Sequence, residues 1–302
     1  MKKRVKSLKE LNKISPVTDI ILKTVFAIMV GMTCVYPLLM IVGSSFTQNF
    51  SIVVDGYNVI PRVFSTEAYD FVFLKSPKLF RSYGLTIFIT TVGSAIGVVI
   101  MAMYAYAISR KDLKYRRFFS LFAYVTFVFS GGLVPFYFVY SRVLGLGNTV
   151  AVMIIPYLVN VWYIVILRTF FASSIPDEIL ESAKIDGASE IRTFVQIVMP
   201  LALPALASVT MFTVLAYWND FQLPLYFIED SSKYNLQYLL YRIMSNMEFL
   251  AQDTNSISLE GPLPIESARM AMCVLGAGPL LIAYPFFQRY FVRGLTVGAV
   301  KG

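Results

Sequence analysis

The sequence alternates between long apolar runs and short charged segments. Six runs are long enough to cross about 30 Å of hydrocarbon as α-helices that rise about 1.5 Å per residue. They cover approximately residues 24–47, 82–109, 118–141, 143–167, 200–228 and 270–288, and only Asp220 places a charge inside one of them. This pattern predicts an all-α polytopic membrane protein with six transmembrane helices. An even number of spans places both termini on the same side.

The basic residues indicate which side that is. With this order of spans, one side of the membrane receives 18 of the 26 Lys and Arg residues, including those at 2–13 and 110–117. Cytoplasmic loops of membrane proteins carry an excess of Lys and Arg. Both termini are therefore predicted to be cytoplasmic. We expect a basic cytoplasmic segment over residues 1–20 and a six-span membrane domain over residues 21–302.

Composition excludes several classes of function. The chain has no histidine and only 15% charged residues, against about 25% in soluble domains. Without histidine it lacks the commonest metal ligand and general base, and Cys34 and Cys273 each lie inside an apolar run. We therefore predict no catalytic site and no metal site. The net charge of +8 is explained by orientation in the lipid bilayer, and no nucleic-acid partner is expected.

The most informative segment is the predicted cytoplasmic loop between the fourth and fifth spans. Local signals predict two short helices joined by a turn. Ser173 or Ser174 is expected to cap the first helix, which Gly187 ends because a helix C-terminus often requires a positive φ. Ser189 is expected to cap the second helix, which runs toward Pro200.

One face of the first loop helix is apolar. Ile179, Leu180 and Ala183 share it, and a helix too short to be stable alone gains order when such a face lies in a groove. Lys184 and Arg192 remain free to meet acidic groups. The loop is thus predicted to dock on a partner protein.

The loop resembles the "EAA" loop of bacterial ABC-importer permeases. The matching residues are Glu181-Ser182-Ala183, Gly187, Ile197 and Met199-Pro200. Ser182 replaces the usual alanine and Met199 the usual leucine, and both changes are small. The resemblance implies that residues of about 173–199 couple the membrane helices to an ATPase. The coupling residues that it implies are Glu181, Ser182, Ala183, Asp186, Gly187, Ala188, Arg192 and Pro200.

Other segments are similar to the second, six-span permease of the maltose-type carbohydrate subfamily. They are Leu144–Thr149, Ile155-Pro156, Trp218–Phe221 and Tyr290–Gly302. Residues Pro61–Tyr69 resemble the branch associated with complex or acidic oligosaccharides. This resemblance implies a type I ABC importer permease fold in the cytoplasmic membrane of a bacterium.

The resemblance also implies an assembly. Its parts would be this permease, a homologous second permease, two ATPase subunits and an extracytoplasmic binding protein that delivers an oligosaccharide. ATP and Mg²⁺ would bind in the ATPase subunits, with no cofactor on this chain, which lacks the G-x-x-x-x-G-K-[ST] phosphate loop. The C-terminal tail, about residues 289–302, would reach the interface between the ATPases, although a frayed terminus is the alternative.

An ion-gradient-driven secondary transporter is the alternative function. Such a protein normally needs an ionisable residue deep in the membrane, and Asp220 is the single candidate. It follows Pro200 by some 20 residues, or about 30 Å along a helix, which places it near the outer end of its span. A copurified ATPase would distinguish the two functions.

The substrate pathway is predicted from side chains that bind sugars. Sugars stack on aromatic faces and hydrogen-bond to polar groups. The candidates are Trp162, Tyr163, Tyr217, Trp218, Asn219 and Asp220. For the aromatic residues, helix packing or anchoring at the membrane surface is the alternative.

Overall fold

A computed structural model describes residues 16–75, 78–252 and 263–299. Within these ranges the regular secondary structure is helical. The β-type pairing found there is one isolated antiparallel bridge between Thr47 and Phe64. Most of the predicted basic segment, together with residues 300–302 of the predicted tail, lies outside the described residues.

The helices follow one another with short connections. The first part contains α1 (Pro16–Val30), a π-helical turn (Gly31–Val35), α2 (Tyr36–Ser45), α3 (Asn49–Asp55), α4 (Glu67–Lys75), α5 (Leu79–Ser109), α6 (Arg116–Val128) and α7 (Leu133–Phe138), which a π-helical turn (Val139–Val143) extends. Two 3₁₀ turns (Val150–Met153 and Ile155–Tyr157) lead to α8 (Val161–Ser174) and α9 (Asp177–Ile185). Then follow α10 (Glu190–Thr193), a π-helical turn (Phe194–Val198), α11 (Met199–Leu201), α12 (Leu203–Trp218), α13 (Gln222–Phe227), a 3₁₀ turn (Ser231–Lys233), α14 (Leu236–Gln252) and α15 (Ile265–Ala299).

Three to six helical segments of the described residues are long and apolar enough to cross a membrane. Val17–Ser45, Leu79–Ser109 and Ile265–Phe286 qualify as single helices. Three bent pairs qualify if each pair is one span, namely Arg116–Val128 with Leu133–Val143 (111°), Val150–Tyr157 with Val161–Ser174 (43°) and Glu190–Leu201 with Leu203–Trp218 (84°). Each of the six overlaps one apolar run of the sequence.

The bends occur where the sequence interrupts helical hydrogen bonding. Gly132, between α6 and α7, has φ +83°, which is outside the helical region. At the 84° bend, Pro200 and Pro204 lie on either side of Ala202 and have no amide to donate. Hydropathy identified these runs, and the bends divide them into shorter helices.

The described residues form two compact units. The smaller comprises, of the described residues, 16–75 and 263–275. In it, Phe46 stacks on Phe64 with ring centroids 5.8 Å apart, and the Asn49 side chain accepts the Glu266 amide at 2.9 Å at the start of α15. The apolar segment after α2 is thus packed and not a free linker.

The larger unit comprises residues 78–252 and 276–299 of the described part. In it, α5 packs along α8 and α12. The buried core between them includes Met101, Ala105, Leu167, Val198 and Val209. Since α9 contributes Leu180 and the π-helical turn after α10 contributes Phe194 to the same core, the loop of about residues 177–200 is packed on the helices that it joins.

Candidate functional site: the loop between α8 and α12

The turn at Gly187 has the geometry that its sequence predicts. Gly187 has φ +76°. Its amide donates to the Lys184 carbonyl at 3.1 Å and the Ala188 amide donates to the Ala183 carbonyl at 2.9 Å, which together form a Schellman motif. Beyond Gly187 and its two neighbours, no atom of the described residues lies within 4 Å of a Cβ built on Gly187. Backbone conformation, and not lack of space, therefore favours glycine here.

The beginning of α9 differs from the prediction. Helix α8 continues through Ser173 and Ser174. Helix α9 starts after Pro176, and Pro176 provides no side-chain hydrogen bond to cap it. The prediction that Ser173 or Ser174 caps the loop helix is therefore wrong, because the apolar run of α8 keeps both serines in its last turn. The Ser189 cap is confirmed, since its hydroxyl accepts the Arg192 amide at 3.3 Å.

Burial corrects the predicted docking face. Leu180 is only 8% exposed and Ala183 is also buried, so both pack against this chain. Ile179 is exposed, and Ile185, near the helix end, is 86% exposed. The prediction that Ile179, Leu180 and Ala183 form one partner-facing surface is thus wrong for two of the three. Leu180 belongs to the core of the larger unit, and the adjacent face of α9, with Ile179, Ser182 and Asp186, remains open.

The open face contains a shallow groove of about 360 Å³. It is lined by Glu178, Ile179, Ser182, Ala183, Asp186 and Ile197. The Ser182 hydroxyl donates to the Glu178 carbonyl at 2.8 Å, so its polar group is satisfied within α9. This bond explains why serine can occupy a position where the resemblance expects alanine.

The remaining predicted coupling residues lie around the same turn or beyond it. Glu181 and Gly187 are exposed, and Ala188 is half-buried. The exposed Arg192 donates through Nε to Gln196 Oε1 at 2.9 Å. Pro200 lies in α11, immediately before the 84° bend. The structure thus places the predicted residues from Glu181 to Ala188 on one helix end, and Pro200 where the segment turns into α12.

Sequence reasoning missed a charged network between this loop and the end of α5. Arg110 donates to both carboxylate oxygens of Asp112 at 3.1 and 2.9 Å and lies 4.0 Å from Glu190 Oε1. The Tyr106 hydroxyl donates to Glu190 at 3.1 Å, and Lys184 lies 4.0 Å from Asp112. Tyr106, Arg110, Asp112, Lys184 and Glu190 are called the Arg110 bridge below.

The Arg110 bridge modifies two expectations. Lys184 was expected to meet acidic groups of a partner, and it approaches Asp112 of its own chain. The hydrogen bonds from Arg110 hold the pKa of the Asp112 carboxyl below its usual range. The sequence contained one signal of this network, namely Asp112 inside the otherwise basic 110–117 segment. An isolated charge of opposite sign in such a segment indicates an ion pair.

The predicted substrate-pathway residues divide into two groups. Trp162 is exposed and stacks on Phe127, and the partly buried Tyr163 stacks on Phe212. Tyr217 is buried, and its hydroxyl donates to the Ile154 carbonyl at 2.8 Å. Trp162 and Tyr163 therefore keep accessible surface, whereas Tyr217 packs inside the unit.

The other three residues end α12 and lead into α13. Trp218 is buried and donates through Nε1 to the Gly276 carbonyl at 2.9 Å, whereas Asn219 is exposed. The buried Asp220 accepts the amides of Gln222 and Leu223 at 3.0 and 3.2 Å and the Tyr157 hydroxyl at 3.2 Å. These bonds cap α13 and give Asp220 a structural role.

Comparison with known proteins identifies the family. Residues 112–297 match the family described as "Binding-protein-dependent transport system inner membrane component". The chain belongs to this family. The permease is therefore an inner membrane component of a transport system and not itself an enzyme. The match contains the Gly187 turn and most of the helices that surround it.

Relatives of the permease cover nearly its whole length. It is 33% identical over 277 residues to the polygalacturonan/rhamnogalacturonan transport system permease protein YtcP of Bacillus subtilis, covering 92% of this chain and 96% of that protein. It is 35% identical over 274 residues to Protein LplC of the same organism, covering 90% and 91%. A solved bacterial ABC transporter involved in the import of the acidic polysaccharide alginate contains a similar chain, with TM-score 0.78, 26% identity and coverage of 92% and 99%.

Proposed function

We propose that this permease forms half of the membrane pathway of an ABC importer for an oligosaccharide, with acidic oligosaccharides as the favoured class. The observation that carries the proposal is the exposed Gly187 turn, which is built like a docking element on a chain of this transport family. Two relatives support the substrate class, because their names refer to polygalacturonan and to alginate, both acidic.

In this proposal the remaining subunits supply what the chain lacks. A homologous second permease completes the pathway, two ATPase subunits bind ATP and Mg²⁺, and an extracytoplasmic binding protein delivers the sugar. The loop around Glu181 and Gly187 docks in a cleft of the ATPase, and the tail of about residues 289–302 reaches the interface between the two ATPases. Trp162 and Tyr163 contact the passing sugar.

The proposed topology has six spans, with each bent helix pair crossing the membrane once and with both termini in the cytoplasm. The distribution of basic residues supports it. The ion-driven alternative loses support, because its single candidate relay, Asp220, is buried and already accepts three hydrogen bonds.

We expect the purified chain alone to show no ATPase activity, because its sequence has no phosphate-binding loop. Coexpressed with the other subunits, it should copurify with a second permease and an ATPase. Hydrolysis by the reconstituted complex should be stimulated more by binding protein loaded with oligogalacturonides than by the same protein mixed with neutral malto-oligosaccharides of equal length. Hydrolysis by a preparation shown free of other subunits would refute the proposal, and preferential stimulation by the neutral sugars would refute the substrate class.

Single cysteines should report the topology in sealed cells. Positions 111–117 and the C-terminus should react with an impermeant thiol reagent only after the membrane is opened, whereas positions 60–70 and 240–248 should react from outside. The background is a chain in which Cys34 and Cys273 are replaced by serine. Labelling of Ser182→Cys from outside would overturn the cytoplasmic placement of the loop.

A further inference from the structure

Hydrogen bonds and ion pairs join the end of α5 to the loop at three separate places. Lys111 bonds Asp177 in the first turn of α9 at 2.6 Å. Asp112 lies 4.0 Å from Lys184 in the last turn of α9, and Arg110 and Tyr106 reach Glu190 at the start of α10. Charged contacts thus hold the loop on both sides of the Gly187 turn.

Arg110 is the centre of these contacts. Its side chain is 16% exposed, so its interactions are screened less than those of a surface pair. Its planar guanidinium binds Asp112 through two nitrogens and also faces Glu190, a geometry that a lysine ammonium cannot reproduce. Arg110 therefore links the connection between α5 and α6 to the start of α10, which follows Gly187.

The packing beside Arg110 is open. A pocket of about 540 Å³ lies between α5 and the segment after Glu190, beside the contact of the Phe194 and Tyr106 rings, whose centroids are 5.3 Å apart. It is lined by Val99 and Met103 of α5, by Phe194 and Val195 of the π-helical turn, and by members of the Arg110 bridge. The polar contacts of Arg110 and Tyr106 thus hold the start of α10 to α5 beside the buried Phe194, which packs in the same core.

We propose that Arg110 is a positioning residue for coupling, which fixes the start of α10 to the end of α5 so that displacement of the loop by the ATPase moves α5. The pocket gives the exposed side of the segment after Glu190 room to shift, and the Arg110 bridge, together with the Tyr106–Phe194 contact, makes α5 follow it. This inference rests on the proposed function, because it requires that the loop docks on an ATPase.

The test uses the complete importer in proteoliposomes, with its binding protein and sugar. Arg110→Ala should leave the ATPase bound, as measured by pull-down, and should lower the sugar transported per ATP hydrolysed at least about fivefold, the lower end of ordinary coupling effects. Arg110→Lys should give an intermediate ratio, because a single ammonium can reach Asp112 or Glu190 but cannot span both. Arg117→Ala, which removes the same charge from the exposed first turn of α6, is the matched control and should keep the ratio of the unchanged protein.

Glu190→Gln provides a second variant if Arg110→Ala fails to assemble. Glutamine keeps an acceptor for the Tyr106 hydroxyl and removes the charge that Arg110 faces, so the ratio should again fall. An unchanged ratio in both variants would overturn the inference. Loss of ATPase binding together with uptake would also overturn it, because Arg110 would then act in docking. If the unchanged protein binds no ATPase, the proposed function itself fails.

Discussion

Gly187→Asp is expected to abolish sugar uptake while leaving the permease inserted and paired with its partner. The residue has φ +76° at the end of α9, where a side chain costs about 1 kcal/mol. The new carboxylate would also stand beside Asp186 on the exposed face of the loop. Apart from Gly187 and its neighbours in the chain, the described residues place no atom within 4 Å of the added Cβ, so the fold can accept the change. The substitution should therefore abolish uptake by weakening the docking of the ATPase.

A pull-down of the ATPase beside an uptake assay in the same membranes measures this effect. Glu181→Lys, which reverses a charge on the same exposed helix end, should also weaken docking. Gly145→Asp is the matched control, because Gly145 follows Leu144 at the end of the π-helical turn Val139–Val143, with φ +64° and equally open surroundings. It should carry a similar backbone cost and keep the ATPase bound. Normal uptake by Gly187→Asp with the ATPase fully bound would show that this loop does not couple the two proteins.

Local signals in the sequence predicted the turn correctly because its geometry depends on neighbouring residues. Positive φ at Gly187 and the Ser189 cap involve hydrogen bonds between residues at most five positions apart. The same kind of signal failed at Ser173 and Ser174, where the apolar run that forms α8 extends the helix past both serines. A capping residue is informative only when the preceding segment has stopped being helical.

Contacts distant in sequence could not be predicted in this way. Glu190 meets Tyr106 across 84 residues and Asp177 meets Lys111 across 66. The burial of Leu180 depends likewise on the core that α5 and α8 build. A helical pattern shows which residues share a face, and it does not show whether that face meets its own chain or a partner.

Gly93→Val is expected to destabilise the larger unit by about 3 kcal/mol, the upper part of the range for overpacked cores. A Cβ on Gly93 would lie 2.4 Å from Cζ and 2.7 and 2.8 Å from Cε1 and Cε2 of the buried Tyr217 ring. The ring is held by the bond from its hydroxyl to the Ile154 carbonyl, so it cannot move without losing that bond. Gly84→Val, on the same helix, is the matched control and should change stability little, because outside its neighbours and the nearby helical backbone no described atom lies within 4 Å of an added Cβ.

Thermal unfolding of the detergent-purified complex measures the difference, and second-site changes locate its cause. Tyr217→Phe should not rescue Gly93→Val, because the phenyl ring keeps all three clashing atoms. Tyr217→Leu should restore part of the stability, since it removes the ring from the space that valine needs. A Gly93→Val complex that unfolds at the temperature of Gly84→Val would show that α12 does not pack on α5 through Tyr217. In that case Tyr217 would remain a candidate for the substrate pathway. Rescue by leucine would instead assign the Tyr217 side chain to helix packing. Trp162 and Tyr163 would then be the remaining aromatic candidates for contact with sugar.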